Sequence, residues 1–457
     1  MRFVYGCLVA LVILTTACRK GEDLTSDLNA KLVLSQDSVV FDTIFTALGS
    51  VTQRIKIINQ NNKAIRIANV KLAGGDQSPF KLNVNGENTN SKNNLIVNGG
   101  DSINVFVKVT IDPNHNNLPF LVQDSILLQS NGNKKTVMLM AYGQNANYLD
   151  RSIISSNTTW SSSIPYVIKN AVTVKNGATL SIPAGTKVYF HTDASMIIEG
   201  KLQASGTPAQ QVLFCSDRLE NIYAEEPGQW KGIYLKAGGS GHIEFATIKN
   251  ASVGITSDSL SYNNEPKLIL SNTVVKNMQV AAYIGYHSQL LAFNNLFYNC
   301  GNYLIYGTGG GDYNLKQNTF AGFNRDFPRK TAALTFSDYL SASIQNPINI
   351  EMVNNIIWGN LTNELDVQKK TKAVSQQLIS SNLIRTSNTA FSQNNNIINN
   401  DPQFVQADLA NFQIQGNSPA LKKGISLITD PYFTKYLSKD LKNNSRIFPS
   451  SLGCYEK

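Results

Sequence analysis

The sequence predicts an all-β chain, an immunoglobulin-like β-sandwich followed by a parallel β-helix. Three observations carry this. Charged residues make up only 16% of the chain, and asparagine, serine and threonine supply the polarity instead. That profile favours strands and turns over helices. Short apolar runs bounded by Asn, Gly and Ser recur along the chain, which is the pattern of strands and turns. From Asn272 onward one pattern returns at a regular spacing, the mark of stacked repeating coils.

The chain opens "MRFVYGCLVALVILTTACRKGED". Arg2 is a short positive region and residues 4–14 are an apolar stretch too short to span a bilayer. Small residues precede Cys18 in "LTTAC". This resembles the lipobox of bacterial lipoproteins, in which the leader is cut before the cysteine and the thiol is lipidated; Thr15 departs from the family's usual Leu. The resemblance implies a leader over 1–17, lipidation at Cys18 and a polar tether over 18–29. It implies an outer-membrane lipoprotein, with "RKGEDLTSD" similar to surface-export tags of Gram-negative lipoproteins. The acyl chains would supply the membrane affinity.

Residues 30–147 are expected to form the sandwich. "RIKIINQNNKAIRIANVKLAGG" holds three short strands, 54–58, 64–67 and 70–72, with turn chemistry between them. "SNGNKK" predicts a hairpin turn. About seven short strands in this segment fit an immunoglobulin-like fold. "VVFDTIFTALGSVTQRIKIIN", "SPFKLNVNG" and "AYGQNA" are similar to an N-terminal module of bacterial surface lipoproteins, where it serves as a spacer.

Residues 148–400 are expected to form the β-helix. With Asn295 as origin, the pattern recurs at Asn272, Asn318, Asn355 and Asn382, with an imperfect earlier copy at Ala246. The steps from Asn272 to Asn295 and from Asn295 to Asn318 are equal; the step to Asn355 is much longer and the step to Asn382 slightly longer. Apolar residues lie two after and three before each origin, and Ser271, Asn294, Gln317, Asn354 and Ser381 lie one before. Coils of three strands stacked about 4.8 Å apart would place like over like. The five asparagines would then form a ladder of bonded amides, each able to take a left-handed bend, with Phe297 over Phe320 beside it. The long step implies an insertion within "RDFPRKTAALTFSDYLSASIQNP". "VTVKNGATLSIPAGTKVYFHTDASMIIEGKLQASGT" and "GQWKGIYLKAGGSGHIEFATIKNA" resemble the leading coils of right-handed parallel β-helix proteins, which sets the expected hand. Gly185, Gly200 and Gly206 would mark corners.

Residues 401–457 resemble the choice-of-anchor-Q region that ends β-helix surface proteins, through "DPQFVQADLANFQIQGNSPALKKG", "KDLKNNSR" and "LGCYE". Lys422 and Lys423 replace that family's usual Asp-Ala. An open β-helix end exposes unpaired strands, so a cap over that end is expected.

The chemistry is less defined. Formal net charge is +9, without aromatics placed regularly among the basic residues, so a solvated basic surface is expected and no nucleic-acid partner. His115, His191, His242 and His287 show no metal spacing, and Cys215, Cys300 and Cys454 lie far apart as buried thiols or one disulfide with a thiol left over. No cofactor is expected. The acids between 240 and 400 scatter against the repeat, and no pair suited to glycoside hydrolysis lines up. "GTGGGD" at 307–312 is assigned to a loop. Glu225 and Glu226 fall on another.

One constellation points to binding. Tyr283 and Tyr306 are separated by the same step as Asn272 and Asn295, so the two are expected to stack in register, with Tyr286, His287, Tyr303 and Asp312 nearby. Tyrosines on one coil face could hold sugar rings, with Asp312 accepting hydroxyl bonds; ordinary packing is the competing reading. Together these features suggest a surface protein that presents a β-helix to a glycan or a protein partner. The rival is a carbohydrate-active enzyme, lyase or hydrolase, with an unrecognised site.

Overall fold

The computed structural model describes residues 23–114, 117–262, 265–324, 328–370 and 375–457. The predicted leader, Cys18 and His115 lie outside them. The chain divides into two compact units between Asn145 and Ala146.

The first unit is a β-sandwich. One sheet orders Leu24–Thr25, Ala64–Leu72, Phe120–Ser130, Asn133–Gln144 and Ser38–Phe45, with Ser91–Val97 also on Ala64–Leu72. The other orders Val33–Leu34, Gln53–Ile58, Ser102–Val109, Phe80–Val84 and Glu87–Asn88. Alternate residues such as Ile55, Ile57, Val105, Val107, Leu139 and Ala141 are buried between the sheets, as the period of two requires. Asn131 and Gly132 have φ of 45° and 72° at the hairpin in "SNGNKK", which suits a two-residue turn. Two expectations change. The strands at 64–67 and 70–72 are one strand, because a bulge opposite Ser130 absorbs the shift in alternation. The tether does not run free to residue 29, since Leu24 and Thr25 pair with Ala64 and Ile65 at the sheet's edge.

The second unit is a parallel β-helix whose strands run from Asn147–Leu149 to Ile397–Ile398. It has three faces. The first is an 11-stranded parallel sheet; the second and third merge into one 16-stranded sheet because Ala281–Phe293 and Tyr303–Lys316 each run across both. Inward columns fill the core. One of them stacks Ile233, Ile255, Tyr283, Ile305, Leu334 and Leu365. Phe297 and Phe320 stack at 5.0 Å and 11°.

The asparagine column is shifted by one residue in one coil. Asn295, Asn318, Asn355 and Asn382 each accept at Oδ1 from the backbone N–H of the coil before, at 2.9 Å. Asn396 ends the ladder by accepting from Asn382. Asn272 is not in it. Thr273 occupies that rung, over Ala246. The reason is the length of the coils. Val274 pairs with Leu296 and Leu296 with Thr319, so one coil is shorter by a residue than the next. The left-handed bend also belongs to the preceding residue. Asn272, Asn294, Gln317, Asn354 and Ser381 have φ between 49° and 60°. A second asparagine column, Asn250, Asn277 and Asn299, bends the chain at the other end of the first face.

"GTGGGD" is not a loop. It lies inside Tyr303–Lys316, and Gly309, Gly310 and Gly311 at φ of 76°, 87° and 121° turn that strand from the second face to the third. A Cβ on Gly311 would sit 2.1 Å from the Ser288 carbonyl oxygen, so only glycine fits there.

Residues 401–457 do not cap the end of the coil. They run along its side, over the corner between the third and first faces. The left-handed column meets them there. The Asn272 amide donates to the Asp440 carbonyl, the Asn294 amide to the Tyr436 and Lys439 carbonyls, the Asn354 amide to the Ile425 carbonyl, and Gln317 to Ser450 Oγ. Phe404, Phe412, Leu441 and Leu452 cover the outer side of the first face at Leu296, Ile356 and Trp358. Leu427, Tyr436 and Leu437 cover Leu291, Phe293 and Val353 on the third. The outward residues of these strands are themselves apolar, so burying them by a lateral clasp wins over capping the end.

Candidate functional site: a cleft on the second face of the β-helix

The six predicted binding residues do not form one site. Tyr283 is fully buried in the core and pairs with Ile305; Ile284, not Tyr283, stands across from Tyr306. The pairing step on this face, from Tyr283 to Ile305, is therefore shorter than the sequence period, and the extra residue of the coil enters only at the glycine bend, between Tyr286 and Ser288 in the pairing. Tyr286 is 40% exposed beside Asp258 and Thr308. His287 sits at the bend with φ 45°. Asp312 lies beyond the bend on the third face, between Gln289 and Asn349.

Tyr303 and Tyr306 do come together. Their rings stack at 4.6 Å and 17° on the outer side of the second face. Alternation places Tyr306 outward next to inward Ile305, and Tyr303 reaches the same side because alternation breaks between them, where Leu304 and Ile305 are both buried. Tyr306 heads an outward column with Thr335 and Asp366 on the next two coils. Tyr303 borders a cleft of about 660 Å³ whose lining includes Thr335, Asn363, Asp366, Gln368 and Lys330. Gln368 donates to Asp366 at 2.6 Å. Burial first, then Tyr306 and the Asp366 carboxylate, hold the Tyr303 phenol above its ordinary pKa, so it stays a neutral hydroxyl.

The walls of this cleft are tied by a buried ion pair. The Arg329 guanidinium contacts both Glu364 carboxylate oxygens at 2.7 and 2.6 Å, with side chains 3% and 0% exposed. Glu364 also accepts the Leu361 and Ala333 backbone N–H groups. Both oxygens of this buried carboxylate are therefore engaged, which is what its burial requires.

Asp366 and Gln368 were not singled out from sequence. Their signal was the alternation in "LDVQ", with apolar Leu365 and Val367 inward; it gains meaning only when Tyr306 is known to lie two rungs away. The third face holds two further clefts. One has Asp312, Asn349, Glu351 and Tyr432 in its lining. Asp312 and Glu351 thus share a groove, although their spacing in sequence brings no pair into register. Both are engaged by donors, Asp312 by the Asn349 amide at 2.7 Å and Glu351 by Lys316 at 2.8 Å. The other cleft has His242 and Lys435 beside Tyr436, whose hydroxyl is 3.4 Å from His242 Nε2. His191 pairs with Asp217 at 2.7 Å. Cys215, Cys300 and Cys454 are free and buried. Among the described residues, no three His, Cys, Asp or Glu side chains converge as a metal site would need.

Residues 152–257 match the model of the pectate-lyase like β-helix domain family. That span covers the leading coils and stops short of the Tyr303 cleft. No curated protein matches the chain. Among solved structures, XylC in complex with xylose is similar over 91% of this chain and 88% of its own, at 10% identity and a TM-score of 0.37. A family 123 glycoside hydrolase from Clostridium perfringens, studied for glycolipid glycan hydrolysis, is similar over 27% of this chain and 26% of its own, at 10% identity and a TM-score of 0.19. A PapD-like domain of human CEP192 matches 28% of this chain and 95% of its own, at 10% identity and a TM-score of 0.18.

Proposed function

We propose that this chain is a lipid-anchored cell-surface protein that binds glycan on the second face of its β-helix. The observation that carries the reading is the stacked Tyr303–Tyr306 pair beside a cleft with Asp366 and Gln368 in its wall. Aromatic rings take the apolar face of a sugar, and fixed polar groups at the side orient its hydroxyls. The coils hold these groups on rigid strands, and the Arg329–Glu364 pair ties the surrounding loops, so little ordering is needed on binding. The "LTTAC" leader supports the anchor, with Cys18 as the lipidated residue and a Gram-negative outer membrane as its location.

The binding reading is favoured over the enzyme. Asp366 is a single carboxylate bonded to Gln368, whereas hydrolysis needs two acids placed across one bond. A glycan array probed with residues 23–457 tests the proposal. Retention of a defined glycan, lost in Tyr303→Ala, is expected. Equal retention of every bound glycan by Tyr303→Ala, or none by the wild type, overturns it. Release of products from that glycan in proportion to pure protein would shift the assignment to the enzyme.

A further inference from the structure

The geometry points to a second, separate ligand site in the groove of the third face, built for an extended, uncharged, hydroxyl-rich chain lying along the β-helix axis. It does not depend on the Tyr303 cleft, which lies on the other side of the glycine bend. Two outward rows define it. Gln289, Asp312 and Asn349 stand on successive coils, and Gln376 follows, its backbone N–H bonding Asn349 Oδ1. Beside them run Leu291, Asn314, Glu351 and Leu378. The groove, about 320 Å³, is walled on one side by Tyr432 of the clasp.

The rungs repeat about every 4.8 Å, close to the length of one pyranose along an extended chain. One sugar per coil would therefore meet the same kind of side chain at each step. The hydrogen-bond balance selects the ligand. Asn314 Oδ1 is buried and has no partner, and Asp312 and Glu351 add acceptors. The Gln289, Asn349 and Gln376 side chains bring amide donors to the same groove, and a hydroxyl both donates and accepts, whereas a ligand carboxylate would meet the Asp312 and Glu351 carboxylates. Half-exposed Leu378 and Tyr432 offer apolar surface for ring faces. The wall is rigid. Asp430 accepts the Tyr432 N–H at 2.9 Å and binds buried Lys316, which also pairs with Glu351.

Calorimetric titration of the full chain tests this, with xylo- and cello-oligosaccharides of increasing length and oligogalacturonates as the charged comparison. In Tyr303→Ala, saturable binding of a neutral oligosaccharide at one site per chain is expected. Affinity should rise with each sugar up to the length of the four-coil row and then level off. Leu378→Asp, at an exposed position where folding is undisturbed, should weaken that binding at least tenfold, and Gln376→Ala several-fold. Binding that survives Tyr303→Ala but not Leu378→Asp supports the groove even if the Tyr303 cleft takes no glycan. The inference is overturned if no neutral oligosaccharide binds Tyr303→Ala, if Leu378→Asp binds as well as its parent, if oligogalacturonate binds equally, or if an extended peptide binds more tightly than any saccharide.

Discussion

Asn294 and Asn295 are neighbours in the chain and bond in opposite directions. Asn295 points into the coil stack, donating to the Leu270 carbonyl at 2.8 Å and to Asn318 Oδ1 at 3.0 Å. Asn294, with φ 54°, points out to the clasp, donating to the Lys439 carbonyl at 2.8 Å and accepting from Arg446 at 2.7 Å. One residue holds the coils in register and the other fastens residues 401–457 to their side.

Asn318→Leu should destabilise the chain by about 3 kcal/mol or more, because several buried groups lose their partners together. The substitution leaves the Asn295 N–H and the Ala292 carbonyl without their Asn318 side-chain partners in the interior and takes from Asn355 Oδ1 one of its two donors, and each buried unpaired group costs about 1–3 kcal/mol. Asn295→Leu should behave similarly. Urea unfolding measures both; an unchanged midpoint would remove the ladder from the account of stability.

Arg446→Ala should release the clasp. Arg446 is buried and bonds Asn294, the Gly453 carbonyl and Glu456. Removing one partner of a buried pair costs about 3–5 kcal/mol. Limited proteolysis should show new cuts within 401–457 while the coils stay intact. Cleavage identical to that of the wild type would contradict the clasp.

Acid should weaken the chain through His242. Burial first, with Lys435 and Lys201 adding to it, pushes this imidazole down to about 4 in the folded chain, from an ordinary 6.5. Between those values the unfolded chain binds the extra proton, so stability falls as pH drops from about 6.5 towards 4. The loss is about 2 kcal/mol between pH 7 and pH 4.5. Glu244, Glu265 and Tyr436 face the same pocket. Glu244 is raised by burial and acts in the opposite sense, so the comparison is with His242→Gln, which should lose the dependence that belongs to the histidine. Parallel pH curves for the two proteins would sink this assignment.

Cys18→Ala should free the protein from the membrane fraction, because a single cysteine carries the proposed anchor. Unchanged membrane fractionation would exclude lipidation there as the means of attachment.

The sequence by itself determined the class of fold. Stacked coils need like residues at a fixed period, so Asn295, Asn318, Asn355 and Asn382 announced the β-helix, and Asn131-Gly132 announced the hairpin in the sandwich. The site was less legible. A one-residue change in coil length leaves the period looking regular but turns a side chain from outside to inside, because strand residues alternate. That is why Tyr283 and Asn272 were misplaced, while Tyr303 and Tyr306, close together on one strand, were not separated by it. Which outward faces remain free was decided by the tertiary structure alone. The clasp bonds to the coil through residues far away in the chain, and such contacts leave no local pattern. It covers the first face and one edge of the third, and leaves the Tyr303 cleft and the Asp312 groove open among the described residues.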